Sequence, residues 1–197
     1  MVVGDFQGSD GLTGFFVQEE DADVDGDAAT SEGIFVYDPA NAVELEPNDL
    51  VRVRGTVTEF FGLTEINNVA AVLDCNTTGT ATASTVTLPV SAVDDFEATE
   101  GMLVTIPGTL YVSGNFTQGR FGEVDLSVGA PLDIPTSVAM PGAAAMAVME
   151  VNNRSRIQLD DGSYIQNPVP APYLGDGDNV ESPVTTIESR HPSLGRF

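Results

Sequence analysis

The chain has 197 residues, 42% of them hydrophobic, with 30 acidic side chains against 7 basic ones and a net charge of −23. The hydrophobic share excludes a disordered chain, and the length allows one sizeable domain or two small ones with a buried core. So negative a surface repels nucleic acid unless cations screen it or a basic stripe interrupts it; it suits a salty or extracellular medium, or carboxylates used as metal ligands.

The opening residues 1–4 read as the middle of a strand rather than a signal peptide, so the expectation is a start inside a longer protein. Short aromatic and β-branched runs at 14–19 (GFFVQE) and 33–37 (GIFVY), with turn residues nearby, predict two strands. Residues 50–60 (LVRVRGTVTEF) alternate strictly. Val51, Val53, Gly55 and Val57 are expected on one face and Arg52, Arg54, Thr56 and Thr58 on the other. Residues 61–66 then read as the return strand of a hairpin. A Thr-rich polar stretch at 74–85 reads as a linker. Beyond it, strands are expected at 101–106, 109–113, 122–128 and 156–159, and a helix from Pro141 to about Asn152, with proline at its start. Asp94, Asp95 and Glu97 fit the cap of a short helical turn, and Asp160-Asp161-Gly162 a hairpin turn.

The two halves read as weak copies of one plan. The expected class is all-β: an OB-like Greek-key barrel over residues 1–73, the linker 74–85, a second, incomplete OB-like half over 86–175 with one short helix, and a truncated or divergent tail over 176–197. A β-sandwich is the alternative.

The most specific local signal is Asp21-Ala-Asp23-Val-Asp25-Gly26-Asp27, closed by Glu32. It matches the twelve-residue calcium pattern D-x-[DN]-x-[DN]-G-x5-E at every fixed position. Calcium takes six to eight oxygens, and a chain that curls at a glycine brings carboxylates at loop positions 1, 3 and 5 toward one point. Asp21, Asp23, Asp25 and Glu32 would supply side-chain oxygens and Asp27 its carbonyl. The flanks read as strands, so the loop joins a strand pair and is not an EF-hand. An acidic hairpin tip without metal remains the alternative. Asp176 and Asp178 form a weaker acidic pair.

Several runs together resemble the OB-fold module of secreted bacterial nucleases. They are residues 2–8 (VVGDFQG), 14–20 (GFFVQEE), 32–37 (EGIFVY) with the acidic run before it, 51–62 (VRVRGTVTEFFG), 100–104 (EGMLV), 119–124 (GRFGEV), 141–145 (PGAAA) and 159–163 (LDDGS). In that family the module precedes a catalytic domain of the endonuclease/exonuclease/phosphatase type. The resemblance covers residues 1 to about 175. It implies a secreted or cell-surface bacterial protein, a divalent-cation-dependent nuclease as parent, a catalytic domain C-terminal to this segment, and DNA or RNA as partner.

No catalytic residues are assigned within the chain. His191 is its one histidine, and a phosphodiesterase of that type needs a metal carboxylate plus catalytic histidines. Cys75 is the one cysteine, so no intrachain disulfide forms. If the module touches a nucleic acid single strand, the candidates are Arg52, Arg54 and Arg120 for phosphates and Phe60, Phe61, Tyr111 and Phe121 for bases. A calcium-rigidified spacer or surface anchor and a polysaccharide-binding module are the other readings. No apolar run is long enough for a membrane-spanning helix.

Overall fold

The computed structural model describes residues 1–173, so the expectations for the tail over 176–197, Asp176, Asp178 and His191 included, lie outside the described residues. Strands dominate, as the all-β reading requires. The first half forms β1 (Val2–Phe6), β2 (Gly14–Gln18), β3 (Gly33–Tyr37), β4 (Asp49–Phe60) and β5 (Leu63–Thr78). They make one sheet in the order β1-β2-β3-β5-β4, with β3 and β5 parallel and every other pair antiparallel. Next to β4, the backbone N–H of Asn48 donates to the Val2 carbonyl of β1 at 2.8 Å, so the two end strands of the order approach each other.

Alternation assigns each face of this sheet a separate job. One face buries Val2, Phe15, Val36 and Leu45, with Val51, Val53, Ile66 and Val72 packed on them. The other buries Met1, Val3, Phe16 and Phe35, with Phe6, Leu12, Leu63 and Leu103 against them. Leu103 belongs to the second half of the chain, which therefore covers part of that outer face.

The β4–β5 hairpin turns on Phe61 (φ 53°) and Gly62 (φ 84°), with Phe60 paired to Leu63. Positive φ at both central residues is the turn geometry that matches strand twist, and it is unusual for phenylalanine. Between the pairs Arg54–Ala71 and Thr56–Asn67 the register slips, β5 advancing four residues while β4 advances two. The irregularity sits at Gly55, where a Cβ would lie 2.4 Å from Ile66 Cγ2 and 2.7 Å from the Asn67 carbonyl, so only glycine permits the approach. The expected face of Val51, Val53 and Val57 is kept only in part. Val51 and Val53 pack into the core, whereas Val57 is 65% exposed, near the tip of the last strand in the order.

The second half contains β6 (Ser84–Thr85), a 3-10 helix (Val93–Thr99), β7 (Val104–Thr105), β8 (Leu110–Gly114), α1 (Gln118–Phe121), β9 (Val124–Val128), α2 (Pro135–Val138), α3 (Ala143–Ser155) and β10 (Arg156–Leu159). Its sheets are β10-β9-β8, antiparallel, and a short parallel β6–β7 pair. Among the described residues this half does not repeat the five-strand order of the first, contrary to the two-copy expectation. Its strands are short, and its core of Val86, Leu88, Phe96, Met102, Val104, Val124, Leu126 and Ile157 also draws on the 3-10 helix and on loop residues.

The predicted linker is also shorter than expected. Residues 74–78 continue β5 because Asp49 and Val51 of β4 supply partners, Val51 pairing with Asp74 and Asp49 with Thr78. Ser84 and Thr85 form β6 against β7. Threonine is a good strand former where a neighbouring strand satisfies its backbone. As expected, Asp95 caps the 3-10 turn, its carboxylate accepting from the Ala92 N–H at 2.9 Å. After β10, Asp160 and Asp161 accept from the N–H groups of Gly162 and Ser163, without a returning strand among the described residues. No helix among the described residues is long and apolar enough to cross a membrane.

Candidate functional site

A cavity of about 890 Å³ lies between the outer face of the first sheet and the second half of the chain. Strand pairing fixes its floor. Phe16 of β2 pairs with Phe35 of β3, which pairs in parallel with Glu65 of β5, so the three side chains lie side by side on one face. Two residues further along, Tyr37 and Asn67 continue that face, and Asp38 follows at the end of β3. The β1–β2 connection contributes Leu12, and the β4–β5 tip contributes Phe60, Phe61 and Leu63. Phe121, Glu123, Asp160 and Tyr164 come from the second half. Tyr164 fastens this wall by donating its hydroxyl to the Leu12 carbonyl at 2.8 Å.

The walls combine aromatic rings with hydrogen-bond acceptors. Phe16 and Phe35 pack at 4.7 Å between ring centroids, and Phe60 and Phe61 meet edge to face at 4.8 Å. Phe61 is 83% exposed at the mouth. Asp38 is 3% exposed, and its Oδ2 has no hydrogen-bond partner among the described residues. Glu65 is also buried and accepts from Asn67 Nδ2 at 3.3 Å. Among the described residues no arginine, lysine or histidine lines the cavity.

The candidates for nucleic-acid contact divide into two groups. Phe60, Phe61 and Phe121 all line the cavity, and Arg120 stacks its guanidinium 4.8 Å from the Phe121 ring centre. Arg52 and Arg54 are exposed on β4 and Tyr111 on β8, and none of the three lines the cavity. Phe16, Phe35, Tyr37, Asp38, Glu65 and Tyr164 were missed. Strand alternation marks Phe35 and Tyr37 as sharing a face, but only the parallel β3–β5 pairing brings Glu65 to them.

The acidic loop curls as its sequence requires, with Gly26 at φ 80° and open space where a Cβ would stand. Asp25 accepts from the Asp27 N–H at 2.7 Å, and Asp27 from the Ala29 N–H at 3.0 Å. Desolvation and the Asp25 charge raise the Glu32 carboxyl above its ordinary value. Asp21 faces elsewhere. Its two oxygens accept from the N–H and hydroxyl of Thr82 at 2.6 and 2.8 Å, tying the chain after β5 to the end of β2. Asp23 is exposed. As they stand, the five residues do not form a closed shell. Among the described residues no group of three or more histidine, cysteine, aspartate or glutamate side chains is arranged to hold a metal ion.

Three further contacts join the halves. Leu103 N–H donates to Gln18 Oε1 at 2.9 Å, Thr64 N–H donates to Glu100 Oε2 at 3.1 Å, and the Ser31 hydroxyl donates to the Glu100 carbonyl. Burial raises the Glu100 carboxyl above its ordinary value, and the Thr64 bond offsets part of that rise. No protein-family model matches this chain, and neither the curated proteins nor the solved structures contain a match to it.

Proposed function

We propose that this chain is an OB-type accessory module of a secreted nuclease, which binds and positions rather than cleaves. The observation that carries the reading is the strand order β1-β2-β3-β5-β4 with a parallel β3–β5 pair, combined with a cavity on the outer face of β2 and β3. OB barrels take ligands on strands 2 and 3 and between the first and fourth connecting loops. Here those loops supply Leu12, Phe60 and Phe61 to the cavity. Exposed rings there offer stacking to unpaired bases, and Arg120 stands beside Phe121 for a phosphate. The nuclease itself, its catalytic domain and its extracellular setting rest on the sequence resemblance alone.

A fluorescence titration with a labelled single-stranded oligonucleotide at low salt tests this. Binding should weaken roughly tenfold or more in Phe60→Ala/Phe61→Ala, since base stacking is worth about 1–3 kcal/mol per base. No binding by the wild-type chain would remove the nucleic-acid role. It would favour the second reading, a polysaccharide-binding module, which the acceptor-rich lining supports. A glycan titration then decides between that and a spacer.

Calcium is the second part of the proposal and rests on the twelve-residue pattern and the bend at Gly26. Bound to the folded state alone, calcium at a hundred times its Kd would add about 2.7 kcal/mol. The expected result is a higher Tm with calcium, reversed by EDTA, and no response in Glu32→Gln. An identical Tm with calcium and with EDTA would leave the loop as an acidic hairpin tip held by Asp21 and Thr82.

A further inference from the structure

We propose that the cavity between the two halves is a receptor for an organic cation, a protonated amine or guanidinium group carried on an apolar stem. The inference rests on reading this face as the ligand face and adds the chemistry of the ligand. Among the described residues four carboxylates line the cavity, Asp38, Glu65, Glu123 and Asp160, and no cationic side chain lines it with them. Three of them have donors: Glu65 accepts from Asn67, Glu123 from Gln158 Nε2 at 3.3 Å, and Asp160 from the Gly162 N–H at 2.7 Å.

Asp38 stands apart. It is almost wholly buried, it lines the cavity, and its Oδ2 has no donor among the described residues. A buried carboxylate without a partner is costly, and a ligand that brings N–H donors and positive charge removes that cost. Rotation about the last side-chain torsion of an aspartate is soft, so either oxygen can be turned to a ligand.

The remaining walls select among cations. Phe16, Phe35, Tyr37, Phe60, Phe61 and Phe121 surround the space with ring faces and edges, which attract an organic cation and its stem. A bare metal ion wants converging oxygens, and the carboxylates of this cavity are not gathered around one point. An anionic group inside the cavity meets the like charges of the buried Asp38 and Glu65, so the single-strand contacts proposed above are confined to the exposed Phe60 and Phe61 rings and to Arg120. A neutral sugar satisfies hydrogen bonds but leaves the buried charge of Asp38 uncompensated.

Isothermal titration calorimetry at low salt provides the test, with spermidine as a free amine and N-acetyl-arginine amide as a basic side chain. Binding by spermidine alone would identify a free polyamine as the ligand type, and binding by the arginine probe a basic peptide. Expected is saturable binding of at least one probe at one site per chain. Asp38→Asn should weaken it about tenfold or more while leaving Tm unchanged or raised, because the amide carries no charge to leave uncompensated. Phe61→Ala, at an exposed position, should weaken it without affecting the fold. Binding at many sites per chain and indifferent to Asp38→Asn would overturn the proposal, since that is general attraction to an acidic surface. Absence of binding by both probes would overturn it too. Oligonucleotide binding that persists in that case leaves the OB-type reading standing, and cation binding without oligonucleotide binding separates the two the other way.

Discussion

Phe15→Ala should lower stability by roughly 3–5 kcal/mol, the largest loss expected from any single truncation in the first half. Phe15 is fully buried on the inner face of the sheet, with Val2, Val36 and Leu45. The pairs Asp5–Phe15 and Phe15–Val36 place it in the middle of β1, β2 and β3, whose backbones are held by the sheet. Domains have about 5–15 kcal/mol of total stability, so much of the folded population is at stake. Chemical denaturation should show a lower midpoint with an unchanged slope. Phe61→Ala is the matched control. It removes the same side chain from an exposed turn and should stay within about 0.5 kcal/mol of wild type. Equal losses in the two variants would mean that the sheet does not enclose Phe15 as described.

Gly33→Ala should cost about 1–3 kcal/mol and weaken every ligand of the cavity as well. A Cβ on Gly33 would stand 2.5 Å from the Gly101 carbonyl carbon, 2.6 Å from its oxygen and 2.7 Å from the Met102 nitrogen. These are backbone atoms, so no side chain can swing aside. The segment after the 3-10 helix must retreat from the start of β3. The bonds from Ser31 to Glu100 and from Leu103 to Gln18 lie in its path. Because the cavity takes walls from both halves, a shift between them changes its shape. A domain of this size loses roughly 2–4 °C of Tm per kcal/mol, which differential scanning calorimetry resolves readily. Gly119→Ala has open space around its Cβ and should be neutral. A Gly33→Ala protein with wild-type Tm would show that the two halves do not touch at Gly101.

Calcium-loop chemistry and cavity chemistry also differ in how much tertiary structure they need. The acidic pattern from Asp21 to Glu32 is complete within one stretch of chain, and the bend at Gly26 follows from it directly. What the stretch does not contain is Thr82, which takes both oxygens of Asp21. A local motif states which groups are near in sequence, and a partner 61 residues away can engage one of them first.

The all-β class, β1 to β4, β8 to β10 and the helix near 143–155 were readable from alternation, turn residues and the proline at 141, because each depends on neighbours a few residues away. The length of β5 was not, since residues 74–78 become strand only when β4 lies beside them. The aromatic tip Phe60–Phe61 was legible, as was Phe121, but not the cavity that gathers them. Asp38 looks in the sequence like an ordinary polar end to a strand, followed by a proline. Its burial without a donor, and its place in one wall with Glu65 and Tyr164, follow from a parallel strand pairing and from the packing of two halves of the chain. Sequence periodicity determines which face a side chain takes, whereas what that face meets is decided by contacts between distant segments, which leave no period in the sequence.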